Sequence, residues 1–297
     1  TISDANVGTK TVNTGGFTLN DQAGANASSG GLASNYILSG GTHQLVINQR
    51  PLNATLSRQY DGTAAAAGST VSSFDALQGG ETLTMTGSGT AASANVANGI
   101  AMSSNGNLAL ADGTGAASNY SLNSAVINIT KRVLTSSGSK TYDANTNALA
   151  AAITLSNLVS GEALNHSGTA TIGSGNVGNY TISNLTGISI ADGSGGAASN
   201  YTLTGGTHNF TVNRRVVSVQ GSKTYDGNTT ISAGNITSVT GTVGSQTLVI
   251  SGGSGTVSAA NVATYSSSAI NEGTLTLGNG TNGGLASNYT LTGHASS

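Results

Sequence analysis

The stretch "GSKTYDGNTT", residues 221–230, decides the fold because it is repeated. It occurs again as "GSKTYDANTN" at 138–147 and, more loosely, as "LSRQYDGTAA" at 56–65. The tyrosines of the three copies are spaced by 82 and 83 residues, at Tyr60, Tyr142 and Tyr225. Self-similarity at a fixed period is the signature of an array of structural units. The sequence therefore predicts a repeat of about 82 residues.

Two further markers keep the same period. The first is "ASNY", at 33–36, 117–120, 198–201 and 286–289. The second is an Asn-Val pair, in "DANVG" (4–8), "SANVA" (93–97), "SGNVG" (174–178) and "AANVA" (259–263). Together the markers predict three modules, at 50–131, 132–214 and 215–297, preceded by the second half of another module at 1–49. The third module lacks the strand that follows "NY" in the others, so we expect the array to continue or to be completed by neighbouring chains.

The composition favours an all-β fold. Only 7% of the 297 residues are charged, 44 are glycine, and cysteine and tryptophan are absent. A helical protein would carry many more Glu, Lys, Leu and Gln residues. Val, Ile, Thr and Tyr suit strands, and Asn-Gly and Asp-Gly pairs suit the turns between them. The absence of cysteine excludes a disulfide framework and thiolate metal sites.

Alternating apolar and polar residues mark the strands of each module. Such runs are "HQLVINQ" (43–49), "TLTMTG" (82–87), "AVINITK" (125–131), "GISIADG" (187–193), "NFTVNRR" (209–215) and "TLVISG" (247–252). They predict sandwich-like modules, immunoglobulin-like or β-grasp-like. The Ala-rich stretches 63–68 and 147–155 leave helix open as an alternative. No Gly- or Pro-rich linker separates the modules, which predicts a stiff, elongated rod rather than a flexible tether.

The order of the motifs resembles a known family. "KTYDGNT", then an Asn-Val pair, then "ASNYTL" and "VNRR", is similar to the YDG repeat module of filamentous-haemagglutinin-like surface adhesins of Gram-negative bacteria. The resemblance covers nearly the whole chain. It implies export by a two-partner or autotransporter route and a location outside the cell or on its surface. It does not identify a ligand.

A catalytic interpretation of the Tyr-Asp motif is weak. The motif offers Lys140 or Lys223 beside its tyrosine, but the first copy has Arg58, which effectively never loses its proton. A Lys–Asn isopeptide crosslink is excluded in that copy for the same reason. The glutamates are scattered in sequence with no paired-carboxylate pattern, at Glu81, Glu162 and Glu272. We therefore expect no enzyme activity and no cofactor.

Metal binding is also disfavoured. Asp112 and Asp192 occupy equivalent "ADG" turns, with Asp21 and Asn279 at related places, and they are weak calcium candidates. Calcium takes six to eight oxygen ligands, whereas each turn offers one carboxylate, so a hydrogen-bonded turn is the favoured interpretation. The histidines are expected to be polar turn residues, and they are His43, His166, His208 and His294.

The repeated motif residues are expected to be structural. Tyrosine must supply most of the large core side chains, so we expect a buried ring at each motif, with a glycan-binding surface as the alternative. The set comprises Tyr60, Asp61, Tyr142, Asp143, Tyr225, Asp226, Asn35, Tyr36, Asn119, Tyr120, Asn200, Tyr201, Asn288 and Tyr289. Sequons are plentiful and include those that begin at Asn53, Asn128, Asn209 and Asn288, but a chain so rich in Asn, Ser and Thr produces them by chance.

These features predict the stalk or fibre region of a large secreted adhesin, which serves adhesion or a biofilm matrix. Two alternatives remain: a filament subunit joined by strand addition, and repeats that themselves bind a glycan or a host protein. The expected partners are further copies in fibres or lateral bundles, and host or matrix molecules bound elsewhere. A net charge of −2 and the absence of a long apolar run argue against nucleic-acid binding and membrane insertion.

Overall fold

The computed structural model describes residues 1–22 and 32–291, and within these residues the chain is all-β. The strands are joined by loops and by single 3-10 turns. No helix in these two stretches is long and apolar enough to cross a bilayer. The chain divides into two compact units, Thr1–Lys131 and Arg132–Ser297, and the division falls at a predicted module boundary.

The first unit contains the predicted partial module (1–49) and the first predicted full module (50–131). Its strands are β1 Gly8–Thr11, β2 Gln44–Ile47, β3 Arg50–Gln59, β4 Ala65–Ala67, β5 Val71–Phe74, β6 Leu83–Thr86, β7 Ser88–Ala91, β8 Ala97–Ser104, β9 Ala109–Asp112 and β10 Tyr120–Thr130. Strands β1 and β2 pair in the partial module. The full module has a six-stranded sheet in the order β4-β7-β8-β10-β3-β5 and a two-stranded sheet, β6-β9.

The second unit contains the second module (132–214) and the third module (215–297). The second module has β11 Arg132–Val133, β12 Thr135–Thr141, β13 Asn147–Leu149, β14 Ile153–Ser156, β15 Leu164–Ile172, β16 Gly178–Asn184, β17 Ile188–Asp192, β18 Tyr201–Thr202 and β19 His208–Asn213. Its sheet runs β13-β15-β16-β19-β12-β14, with β17 also paired to β15, and β11 pairs with β18.

The third module repeats this plan in smaller sheets. Its strands are β20 Arg215–Gly221, β21 Thr230–Ser232, β22 Ile236–Thr240, β23 Leu248–Gly252, β24 Ser254–Val257, β25 Ile270–Asn271, β26 Thr276–Asn279 and β27 Tyr289–Leu291. They form the sheets β22-β20-β27, β21-β24-β25 and β23-β26. The prediction that the third module lacks its last strand concerns residues 292–297, and these residues, His294 among them, lie outside the described residues.

In the first two modules the long opening strand and the last strand are parallel neighbours, and in the third module the short strand that begins at Tyr289 pairs in parallel with the opening strand. Strand β10 pairs with β3 from Tyr120↔Arg50 to Thr130↔Gln59, β19 pairs with β12, and β27 pairs with β20. Alternate residues of these strands are buried, as the period-two pattern predicts. In β3 they are Leu52, Ala54 and Leu56. The strand pattern of the sequence is therefore confirmed.

The Ala-rich stretches form no α-helix. Residues 65–67 and 147–149 are the strands β4 and β13, and each is followed by a 3-10 turn, Gly68–Thr70 or Ala150–Ala152. Ala148 is fully buried on its strand, so burial against the sheet outweighs the helix propensity of a short alanine run. The helical alternative is therefore wrong.

Candidate functional site

The candidate site is the junction at which one module meets the next, and three repeated segments build it. The first is the YD loop, which follows the first strand and contains the Tyr-Asp pair. The second is the NV loop around each Asn-Val pair. The third is the NY corner, a 3-10 turn that ends at the asparagine of "ASNY", together with the tyrosine that follows it.

A basic side chain holds each YD loop closed. Lys223 Nζ lies 2.7 Å from Asp226 Oδ1 and donates to the backbone oxygens of Asn228 and Thr230, at 2.9 Å each. The amide N–H of Asn228 donates to Asp226, which completes an Asx-type turn. All three ammonium protons of the lysine are therefore directed at acceptors of its own loop.

The other two copies of the loop are built alike. Lys140 Nζ lies 2.8 Å from Asp143 and donates to the backbone oxygens of Asn145 and Asn147. In the first module, Arg58 pairs with Asp61 and donates to the carbonyls of Thr63 and Ala65. Arginine can replace lysine here because the role is to bind carbonyls and a carboxylate, which both cations do. Closure of the loop thus explains why the lysine or arginine, the aspartate and the residues after them recur together in the motif.

These hydrogen bonds shift the titration of the aspartates. The hydrogen bond from Lys223, together with the Asn228 N–H, lowers the pKa of Asp226. Burial raises the pKa of Asp143, but the bonds from Lys140 and from the Asn145 N–H outweigh it, so the pKa is lowered on balance. The charged form of each aspartate is therefore favoured by folding.

The tyrosines of the YD loops differ in burial. Tyr60 and Tyr142 are 5% and 2% exposed, as a core-anchoring ring requires, but Tyr225 is 64% exposed. The expectation of a buried ring is therefore wrong for Tyr225. The NY corners show the same division, since Tyr120, Tyr201 and Tyr289 are buried whereas Tyr36 is 66% exposed.

Each NY corner is held by the oxygen of an Asp or Asn side chain, the same residues that the sequence offers as weak calcium ligands. The Oδ1 atoms of Asp112 and Asp192 each accept the N–H of the first residue of the following 3-10 turn at 2.7 Å. Asp21 and Asn279 do the same at their corners. An amide in Asn279 serves as well as a carboxylate, so the position requires an oxygen acceptor and no charge. The described parts of the chain hold no cluster of three metal-ligating side chains.

The hydroxyl of each buried NY tyrosine is bound within its own module. Tyr201 donates to Glu162 at 2.6 Å, Tyr120 donates to Glu81, and Tyr289 donates to Gln246. The hydrogen bond to Glu81 raises the pKa of Tyr120. Glu81 and Glu162 thus occupy equivalent places in their two modules. The spacing of the two glutamates in the sequence is close to the repeat length, and this spacing is the signal that could have shown their equivalence.

The asparagine of the NY corner joins two modules. In the second unit, Asn288 Oδ1 accepts the backbone N–H of Val177 at 2.8 Å, and its Nδ2 donates to Asn176 Oδ1 at 2.9 Å. In the first unit, Asn119 makes the same two bonds to Val7 and Asn6. The NY corner of one module therefore binds the NV loop of the module before it, twice in the same way.

The tyrosines complete the junction in the second unit. The rings of Tyr142 and Tyr289 meet edge to face, with centroids 5.2 Å apart and planes at 77°. Gln246 binds both hydroxyls, and its Nε2 donates to Tyr142 at 3.0 Å. The buried core runs without a break from Phe210 of the second module to Val217 of the third. The geometry suits mechanical coupling of neighbours.

The histidines hold turns together. His43 and His208 each bond through Nε2 to a backbone oxygen five residues before them, at Leu38 and Leu203. His208 is buried, and its Nδ1 lies 2.9 Å from the hydroxyl of Ser136. His166 bonds to the carbonyls of the 150–153 turn. The expected equivalence of His43 and His208 is confirmed, but His166 lies within β15 and the buried His208 opens β19, so the expectation of turn residues is wrong for these two.

Comparison with known proteins identifies the repeat. The family model of the YDG domain matches residues 47–128, 125–209 and 211–297. No curated protein and no solved structure matches the chain. The matched stretches cover most of the chain in three copies, and our own boundaries of the modules stay a prediction.

Proposed function

This chain belongs to the YDG domain family, and from that premise we propose that it is the stalk or fibre region of a large secreted bacterial surface adhesin. Its immunoglobulin-like or β-grasp-like modules form an elongated rod that gives a distant binding region reach and rigidity. The protein acts outside the cell, in adhesion or in a biofilm matrix, and needs no cofactor.

The junction of the second and third modules carries the proposal. Strand β19 ends at Asn213 and β20 begins at Arg215, so a single residue separates the two strands. A tether needs several Gly-, Ser- or Pro-rich residues to let two domains move independently. The bonds from Asn288 to the NV loop and the contact between Tyr142 and Tyr289 hold the same two modules at a second place. Two attachments restrict both bending and rotation.

The surface chemistry supports a passive, extended role. The charged side chains are few, and the three YD loops use six of them in internal ion pairs, Arg58 with Asp61, Lys140 with Asp143 and Lys223 with Asp226. Low charge weakens the repulsion between parallel rods, which favours lateral association in a matrix.

Small-angle X-ray scattering of the chain in solution tests the stalk. We expect an elongated particle whose length increases by on the order of 30 Å per module, the rise of a ten-residue strand. The matched control inserts a flexible Gly-Ser linker after Arg214, which should broaden the distribution of lengths. A compact particle that the insertion does not change would contradict the proposal. Binding of the chain to a glycan array would instead favour repeats that recognise a ligand.

A further inference from the structure

The third module carries an open groove of about 350 Å³ between its YD loop and its NV loop. Tyr225 and Asn228 lie on one side of the groove, and Asn261, Val262 and Tyr265 on the other. The side chain of Val262 is 88% exposed and the ring of Tyr225 is 64% exposed. An exposed valine and tyrosine facing one groove mark a surface that fits an apolar partner.

The second module shows what fills the equivalent groove. Its YD-loop tyrosine, Tyr142, and its NV-loop valine, Val177, match Tyr225 and Val262 in the repeat. The NY corner of the next module lies there, so that Asn288 accepts the Val177 N–H and Tyr289 packs against Tyr142. Tyr142 is only 2% exposed as a result.

The frame of the groove is the same in both modules. Tyr265 donates its hydroxyl to the carbonyl of Asn261 at 2.7 Å, as Tyr180 does to Asn176 at 2.7 Å. Lys223 holds the YD loop of the third module as Lys140 holds that of the second. The YD loop and the NV loop of the third module therefore already have the conformation that binds an NY corner in the second module.

We propose that this groove is the docking site for the NY corner of a further YDG module that follows the third in an array. The incoming asparagine accepts the N–H of Val262 and donates to Asn261, and the incoming tyrosine packs edge to face against Tyr225. The inference rests on the proposed stalk function, in which modules follow one another, and it names the partner and the contacts that extend the stalk.

A single reporter thiol tests the docking, because the chain has no cysteine of its own. The reporter is Val262→Cys in the full chain, and the probe is an extended chain made of residues 1–293 followed by residues 206–297. The splice is in register because 289–293 and 201–205 both read "YTLTG". The extension completes the third module and adds one further copy.

We expect the thiol at position 262 to react with a thiol reagent about tenfold more slowly, or slower still, in the extended chain, as for a group exposed only by local opening. The matched control, Val177→Cys, should react slowly in both chains because its groove is filled. Asn288→Ala in the added copy alone should restore the fast reaction at position 262. Circular dichroism of each variant shows whether it folds.

Equal, fast reaction of the reporter thiol in both chains would overturn the inference. Protection in the unextended chain that increases with protein concentration would assign the groove to a second copy of the chain, and would overturn the assignment to a following module. The scattering experiment and the thiol experiment can be told apart. An elongated particle whose reporter thiol stays reactive would support the stalk and contradict the docking site. A compact particle whose reporter thiol is protected would contradict the stalk and support the docking site.

Discussion

Replacing Tyr142 by alanine is the most direct test of the junction. The ring is 2% exposed, lies edge to face against Tyr289 and shares Gln246 with it. Truncating a buried aromatic side chain to alanine costs about 3–5 kcal/mol. Of this, the edge-to-face pair contributes about 0.5–1.5 kcal/mol and the hydroxyl bonds about 1 kcal/mol, with burial of the ring supplying the rest.

The assay is urea unfolding followed by hydrogen-exchange mass spectrometry, which measures the free energy of unfolding of each module separately. Tyr142→Phe keeps the ring and should lose only about 1 kcal/mol. The matched control is Tyr225→Ala, the same motif residue with an exposed ring, which should change stability by less than about 0.5 kcal/mol. Equal losses for Tyr142→Ala and Tyr225→Ala would refute the idea that a neighbouring module buries this tyrosine.

Two further predictions concern the polar groups. Asn288→Ala should lower the stability of the second unit by about 1–3 kcal/mol, because the partly buried Val177 N–H loses its acceptor. Asn35→Ala, at an exposed corner, should cost almost nothing in the same urea assay. The pKa of Asp143 in the folded state is below its ordinary value of 3.8. The ionised carboxylate therefore stabilises the fold at a pH above 3.8, and this stabilisation is lost as the pH falls through the folded-state pKa. Urea midpoints measured between about pH 5 and pH 2 should therefore fall less steeply for Asp143→Asn than for the parent chain, and identical slopes would contradict this role.

The sequence predicted the strands and the repeat because both are local or periodic properties. The alternating runs 125–131 and 209–215 predicted strands, and residues 125–130 and 209–213 of them lie in β10 and β19. The recurrence of Tyr-Asp and Asn-Tyr pointed to the family without any structure. A turn role for Asp112 and Asp192 was predictable, because each turn offers one carboxylate and calcium needs six to eight oxygens. The hydrogen bond itself was not predictable, because each carboxylate accepts the N–H of a residue five or six positions later and does not close an Asx turn.

Burial of the motif tyrosines could not be predicted from the motif. Tyr142 and Tyr225 have nearly identical neighbours in sequence and differ in exposure because one has Tyr289 against it. The role of Gln246 could not be predicted either. In the third module Gln246 takes the place that Glu81 and Glu162 have in the other two, and these side chains share only an oxygen that accepts the tyrosine hydroxyl. Contacts made by a neighbouring module are absent from any local pattern.

The parallel pairing of β3 with β10 has a mechanical consequence. A pull on the two ends of the first module acts on Arg50 at the start of β3 and on Thr130 at the end of β10, so it slides the two strands past each other. The load is then shared by the whole ladder from Tyr120↔Arg50 to Thr130↔Gln59, and the bonds must break together rather than one after another. The second module repeats this arrangement between β12 and β19. A chain of such modules resists tension in shear, the geometry in which a β-sheet withstands the greatest force.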